Sequence, residues 1–320
     1  MLTKWLLDVA PLWNTPEEFT ATLHRLPPST HAHVQSFHRL SDRKLALGSQ
    51  LLQHLLVAHT RHIPFAAVRI TRNHGGVSGA RPVFLANNTT TTTTATTATS
   101  DDNTVEGLEY NVSHHGSVVA IATRGLPPSS ADSHDEGSIG IDILLYDERP
   151  AHIPSHDGNT KHDDGGLSGV LAWAEGFATA DVLTASELGF MRAEAAAGAT
   201  ADEIVRTLHL HWALKEAYVK AVGTGLVTDL KAVEGRLRGV RERLEGGGVQ
   251  EVEVWIGKEG AKKKLEGWHL EVEVVRPSAG ERYCVALAVR DGEGEESRRG
   301  EWRWLEYSND VAKLIEGGGA

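Results

Sequence analysis

One carboxylate constrains this chain more than any other feature. Residues 138–146 read Ser-Ile-Gly-Ile-Asp-Ile-Leu-Leu-Tyr, a β-branched apolar run of the kind that forms a strand buried on both faces. Ile139, Ile141, Ile143 and Leu145 take one face, and Asp142 shares the other with Gly140 and Leu144. An ionised carboxylate is costly to bury unless a cation, a metal or hydrogen-bond donors offset the lost water. The fold must bring such a partner to Asp142, or set it at the strand end where loop amides reach it. Gly140 removes side-chain bulk beside it, which lets a ligand or another backbone come close.

Polar interruptions divide the rest. Asn87–Ser100 is NNTTTTTTATTATS, which holds almost nothing that could fill a core, so residues 86–108 read as a disordered surface insertion. Pro127–Ser138 and Pro150–Gly169 have the same character, and loop length costs stability only logarithmically. Between the interruptions the pattern predicts strands at Phe65–Thr71, Ser117–Thr123, Ser138–Tyr146, Val249–Ile256, Trp268–Val275 and Tyr283–Val289. It predicts helices near 42–58, 170–194, 200–222 and 229–244. Without a regular strand–helix–strand rhythm, the class is α+β. The 320 residues suffice for two ordinary domains.

Charge and cysteine usage exclude several functions. A net charge of −11 argues against a general nucleic-acid binder, which needs a basic surface to displace phosphate counterions. A single cysteine, Cys284, rules out an intramolecular disulfide framework and multi-cysteine zinc sites. The opening MLTKWLLDVAPLW carries an apolar patch broken by Asp8 and Pro11, too short for a signal-peptide core or a membrane span. These features predict a cytoplasmic protein with no membrane partner.

Three segments hold candidate chemistry. In Thr200–Leu226, Thr200 and Glu203 form a capping-box pattern and Gly223 ends the helix. At about 100° per residue, Trp212, Lys215, Glu216, Val219 and Lys220 share one face; the plainer account is a solvated Glu216–Lys220 pair. His209 and His211 point different ways and make a poor metal pair. Tyr110–Gly116 leads through Ser113 and His114 into a turn, where both could donate to a phosphate or simply close a hairpin. Arg43 and Lys44 sit in the first turn of the 42–58 helix, where the macrodipole disfavours cations. An anion bound there would explain them, as would two solvated surface charges.

Taken in order, Asn111-Val112-Ser113-His114, Gly140-Ile141-Asp142-Ile143 and Trp212-Ala213-Leu214-Lys215-Glu216-Ala217-Tyr218-Val219-Lys220 resemble the three motifs of the 4′-phosphopantetheinyl transferases. The likeness is to the large, pseudo-dimeric type that activates peptide and polyketide synthases, and the Thr-rich insertion is reminiscent of fungal members. Ala80-Arg81-Pro82 resembles the motif that precedes these in the family.

The resemblance implies two similar α+β halves, about 1–138 and 139–290, with the active site in the cleft between them and a tail after 290. It implies transfer of phosphopantetheine from coenzyme A to a carrier-protein serine, with release of adenosine 3′,5′-bisphosphate. The carriers would be those of fatty-acid, polyketide or peptide synthases or an aminoadipate reductase. Asp142 and Glu216 correspond to carboxylates that hold Mg²⁺ through oxygen, and Lys220 to the lysine on the pyrophosphate. Lys215 would support Glu216 or the phosphates. Ser113, His114 and Arg81 match residues that contact coenzyme A, while Arg39, Arg43 and Lys44 are the alternatives for clamping its 3′-phosphate. The serine proton would pass to Glu216 or to a metal-bound water. Leu144 stands where many relatives place a third metal carboxylate, and Asp181 is the counterpart of a further acid. The basic residues of Lys231–Arg243 and Lys262–Lys264 would face an acidic carrier, or only solvent.

Two other functions remain in view, a non-catalytic carrier-binding homologue and a Mg²⁺-dependent nucleotide phosphohydrolase. No GxxxxGK[ST], GxGxxG or GxSxG sequence supports the second.

Overall fold

The computed structural model describes residues 2–72, 82–84, 108–124, 139–151, 153, 166–224, 228–277, 280–290 and 300–316. Arg81 and the Thr-rich segment 86–107 lie outside the described residues, as does 125–138. Leu108, expected at the end of the insertion, is buried in the core.

Two four-stranded sheets face one another, each with a 22-residue helix on its outer side. The first sheet runs β13 (Trp302–Trp304), β1 (Leu2–Asp8), β5 (Val118–Arg124), β4 (Glu109–His115), with α3 (Leu40–Arg61) outside it. The second runs β6 (Ile139–Leu145), β12 (Tyr283–Arg290), β11 (Trp268–Val275), β8 (Gln250–Glu251), with α6 (Ala201–Val222) outside it. Neighbouring strands are antiparallel except β1 and β13. This is the expected α+β class in two halves.

Hydrocarbon fills the space between the sheets: Leu2, Leu6, Val118 and Ala120 meet Ile139, Ile141, Ile143, Val285 and Leu287. One buried ion pair crosses that layer, Lys4 Nζ to Glu271 Oε1 at 2.6 Å. The predicted two-faced burial of the Asp142 strand is therefore met by a sheet on one side and by α6 on the other.

Some elements depart from the sequence pattern. The opening apolar patch is a central strand, β1, with Trp5 and Leu7 toward α3 and Leu2 and Leu6 toward the other sheet. Burial on both faces erases the alternation that marks a half-exposed strand. The tail folds back on the first half: Lys4 pairs with Trp302, and Leu305 and Val311 enter its core.

The predicted 170–194 helix is two helices, α4 (Leu167–Thr179) and α5 (Ala185–Ala196), because Thr184 caps a new start with Glu187. The polar stretch 150–169 also ends earlier than its composition implies, since α4 begins at Leu167 and Ile153 packs in the helical cluster. Residues 229–244 are not one helix. They form a 3₁₀ turn, β7 (Val233–Arg236) and α7 (Val240–Glu245). Gly235, poor in a helix, lies under Leu214 and His211, and Gly239 takes φ +69°. Phe65–Ala67 is likewise a 3₁₀ turn, followed by the short β2 (Ile70–Arg72), which pairs with β3 (Pro82–Phe84).

Gly140 explains how α6 reaches the sheet. A Cβ on it would stand 2.1 Å from Ala217 O and 2.3 Å from Ala221 N, so only glycine admits the helix backbone here. The close approach anticipated beside Asp142 is thus made by α6. Gly140→Ala must push the helix away. The expected cost is about 3 kcal/mol, the upper end for overpacking, read as a lowered urea midpoint.

Candidate active site

The hairpin of β4 and β5 and the strand β6 bring the first two motifs together. Alternation splits β4: Tyr110 and Val112 pack toward α3, while Ser113 turns toward β6. Ser113 Oγ donates to Asp142 Oδ1 at 3.1 Å. From α6, Lys220 Nζ donates to the same Asp142 oxygen at 2.6 Å and to Ser113 Oγ at 3.0 Å. The buried carboxylate therefore has both a cation and a neutral donor, taken from different halves of the molecule.

The hairpin turn needs its glycine. Gly116 has φ +58°, and a Cβ there would lie 2.5 Å from the Tyr283 hydroxyl, which accepts from Ser117 N at 3.2 Å.

These groups open onto a cleft of about 620 Å³. Trp212, Glu216 and Lys220, spaced four apart, line it from α6, opposite Ser113, His114 and Asp142. Burial, reinforced by the Asp142 charge and opposed by Lys220, raises the pKa of Glu216 above the ordinary carboxylate range. Burial, together with Lys220, pushes His114 below the ordinary histidine range, so its ring is neutral at pH 7 and can donate or accept. The far wall is aromatic: Phe177 stands edge-on to both Trp173 (5.3 Å) and Trp212 (5.5 Å), and His209 joins them. A smaller pocket of about 400 Å³, lined by His33, Phe37, Asp42 and Ser49, shares Val112 and His114 with the cleft. His114 thus stands where the two spaces meet.

The donor set suits a divalent cation. Burial first, and the Asp142 charge second, raise the pKa of Glu216, and both carboxylates line the same cleft. Among the described residues no group of three or more His, Cys, Asp or Glu could hold a metal, and Leu144 occupies the strand position two beyond Asp142. Two carboxylates plus water and substrate oxygens match how Mg²⁺ is usually held.

Not every expected residue reaches the cleft. Lys215 is 1 % exposed and points into the second half, pairing with Glu187 at 2.9 Å and donating to Leu230 O (2.7 Å) and Val233 O. It lies at the edge of the α6 stripe, and the core claims that edge. The expectation of a phosphate role for Lys215 is corrected accordingly. Lys44 is also turned inward, to Asn14 Oδ1 at 2.6 Å and Ala10 O at 3.0 Å, so no anion is needed to explain it. Arg43 is bonded to the carbonyl of Phe37, a residue of the smaller pocket. Asp181 pairs with Lys231 on the surface, and Arg236, Arg241, Lys262 and Lys264 are likewise ion-paired within the chain.

The sequence reading missed Trp173, Phe177 and His209 as cleft residues. A half-buried aromatic pair spaced four apart on a helix was the available signal.

Glu187 anchors α6 from behind. Burial alone would raise its pKa, but His211, Lys215 and the Thr184 N–H outweigh that and hold it at about 2 against an ordinary 4.5. The folded value lies below the unfolded one, so this stabilisation is present above pH 4.5 and is lost as the pH falls toward 2. Urea midpoints of the parent should drop across that window, while those of Glu187→Gln, which starts lower, should change less. Glu187→Ala strands the Lys215 charge and should cost about 3–5 kcal/mol.

The chain belongs to the 4′-phosphopantetheinyl transferases, the enzymes that move the phosphopantetheine arm of coenzyme A to a carrier protein. Residues 12–126 match the family's N-terminal model and residues 171–288 the model of the 4′-phosphopantetheinyl transferase superfamily. Ser113 and His114 fall in the first match and Glu216 and Lys220 in the second, with Asp142 between them. Similar proteins include 4′-phosphopantetheinyl transferase A of Aspergillus fumigatus, 31% identical over 93% of this chain and 85% of the relative. Another is 4′-phosphopantetheinyl transferase 1 of Fusarium mangiferae, 28% identical over 97% of this chain and 94% of the relative. The L-aminoadipate-semialdehyde dehydrogenase-phosphopantetheinyl transferase of Rattus norvegicus is 21% identical over 72% of this chain and 59% of the relative.

Proposed function

We propose that Asp142, Glu216 and Lys220 form the reacting centre of the transfer, with coenzyme A laid from the smaller pocket across His114 into the cleft. The observation that carries this reading is the three-way contact of Lys220, Asp142 and Ser113 at the junction of the halves. In the reaction a carrier serine oxygen attacks the phosphorus that bears pantetheine. A new O–P bond forms, the bond to the bridging diphosphate oxygen breaks, and adenosine 3′,5′-bisphosphate leaves with the electron pair.

Asp142 and Glu216 would hold a divalent cation, Mg²⁺, which supplies charge neutralisation for the diphosphate. Lys220 places its ammonium where negative charge develops, and Ser113 and neutral His114 offer hydrogen bonds to phosphate oxygens. Glu216, which lines the cleft, would take the serine proton directly or through a water on the cation. The aromatic wall of Trp173, Phe177 and Trp212 supplies an apolar path for the pantetheine arm. Arg81 is kept as a coenzyme A contact on the strength of its motif alone. The partners are carrier domains of fatty-acid, polyketide or peptide synthases, and the name of the rat relative supports an aminoadipate-reducing enzyme as one of them. A cytoplasmic location fits the single buried thiol and the lack, among the described residues, of a helix able to cross a membrane.

Incubation with an apo carrier domain, coenzyme A and Mg²⁺, read by intact mass, should show one phosphopantetheine added per carrier. EDTA should stop the reaction and Mg²⁺ restore it. Asp142→Ala and Glu216→Ala should each lower the rate at least about a hundredfold, the scale for losing a charge-stabilising group. Hydrolysed nucleotide without a labelled carrier would point to the phosphohydrolase instead, and binding without turnover to the inert homologue.

A further inference from the structure

Among the described residues, β4 and β6 are edge strands of their sheets, so each has peptide groups that no described strand pairs with. The N–H of Ile141, adjacent to Asp142, is one of these. It donates to Oδ1 of Asn111 at 3.1 Å. Two residues further along the same face of β4, Ser113 Oγ meets Asp142 Oδ1 at 3.1 Å. Asn111 and Ser113 therefore grip consecutive residues of β6, one by its backbone and the other by its carboxylate.

From this geometry we infer that Asn111 is a positioning residue for the transfer. Its carboxamide fixes the offset between the two edge strands and so sets where Ser113 stands relative to Asp142 and the Lys220 that α6 brings to it. The inference rests on the reading of the site given above. A serine or hydrophobic side chain could not do the same work, since the first is too short to reach and the second has no acceptor. An aspartate could accept the bond, but it would add a third negative charge beside Asp142 and Glu216. The Ile141 N–H would otherwise be an unpaired donor between two sheets. The contact also lies before the chemistry rather than in it, because the Asn111 oxygen is already engaged with the backbone. Loss of the bond should leave coenzyme A binding intact while spoiling the alignment of reacting groups, where an error of about 1 Å costs on the order of a hundredfold in rate.

The test compares the parent with Asn111→Leu, with Asn111→Ser as the second deletion of the bond should leucine prevent folding, and with Asn111→Asp, which keeps an accepting oxygen. Two quantities are read: carrier-transfer kinetics in saturating Mg²⁺, and amide hydrogen exchange at Ile141. The inference expects kcat to fall about ten- to hundredfold in the deletion variants, with KM for coenzyme A within about twofold of the parent. It also expects Ile141 exchange to accelerate at least tenfold while amides in the centre of β12 keep their rates. Asn111→Asp should retain slow exchange at Ile141. Faster Ile141 exchange with unchanged kcat would overturn the inference, as would unchanged exchange. So would kcat and KM worsening together with a general loss of protection, which marks a merely structural role. A parent that labels no carrier would instead condemn the functional reading, and the exchange result would still report on the bond.

Discussion

The charge on Asp142 cannot sit in an apolar layer without compensation, and the architecture around it supplies that compensation from two directions. Ile139, Ile141 and Ile143 commit one face of the strand to the layer between the sheets, so the carboxylate must face the helix side. Gly140 then lets the α6 backbone approach closely, which puts Lys220 within 2.6 Å of the carboxylate. The first half contributes Ser113 to the same oxygen. One desolvation problem thus determines strand orientation, helix distance and the meeting point of the halves.

The same helix divides its charged residues between two tasks. Glu216 and Lys220 look into the cleft, whereas Lys215, one residue from Glu216, is buried with Glu187 and His211. Breaking the inner pair would leave an uncompensated charge in the core, so that pair holds the helix firmly behind the residues that face the cleft. Glu187 also closes the capping box of α5, so a single carboxylate joins the start of one helix to the middle of the next.

Much of this was legible in the sequence, for identifiable reasons. The Asp142 strand could be read because an apolar run of its length has few alternatives, and the ends of α6 could be read from Thr200, Glu203 and Gly223, whose capping geometry is local. The motif residues Ser113, Asp142, Glu216 and Lys220 line one cleft. What escaped the reading depends on distant parts of the chain. β1 lacks periodicity because both of its faces are covered, and its parallel partner β13 lies some three hundred residues away. Helical phase places Lys215 at the border of the stripe, and only the position of Glu187 decides which way it turns. Lys44 looked like an anion ligand until the loop holding Asn14 folded over it.

In the proposed centre Asp142 and Glu216 share one divalent ion on a diphosphate. Mn²⁺ binding in the presence of coenzyme A, followed by electron paramagnetic resonance of the free ion, tests it without relying on turnover. One Mn²⁺ per chain is expected for the parent, with affinity weakened at least about tenfold in both Asp142→Asn and Glu216→Gln, the scale of a lost contact worth about 1.4 kcal/mol. Parental affinity in either variant would mean that the two carboxylates do not hold a common ion, and the proposed centre would be wrong.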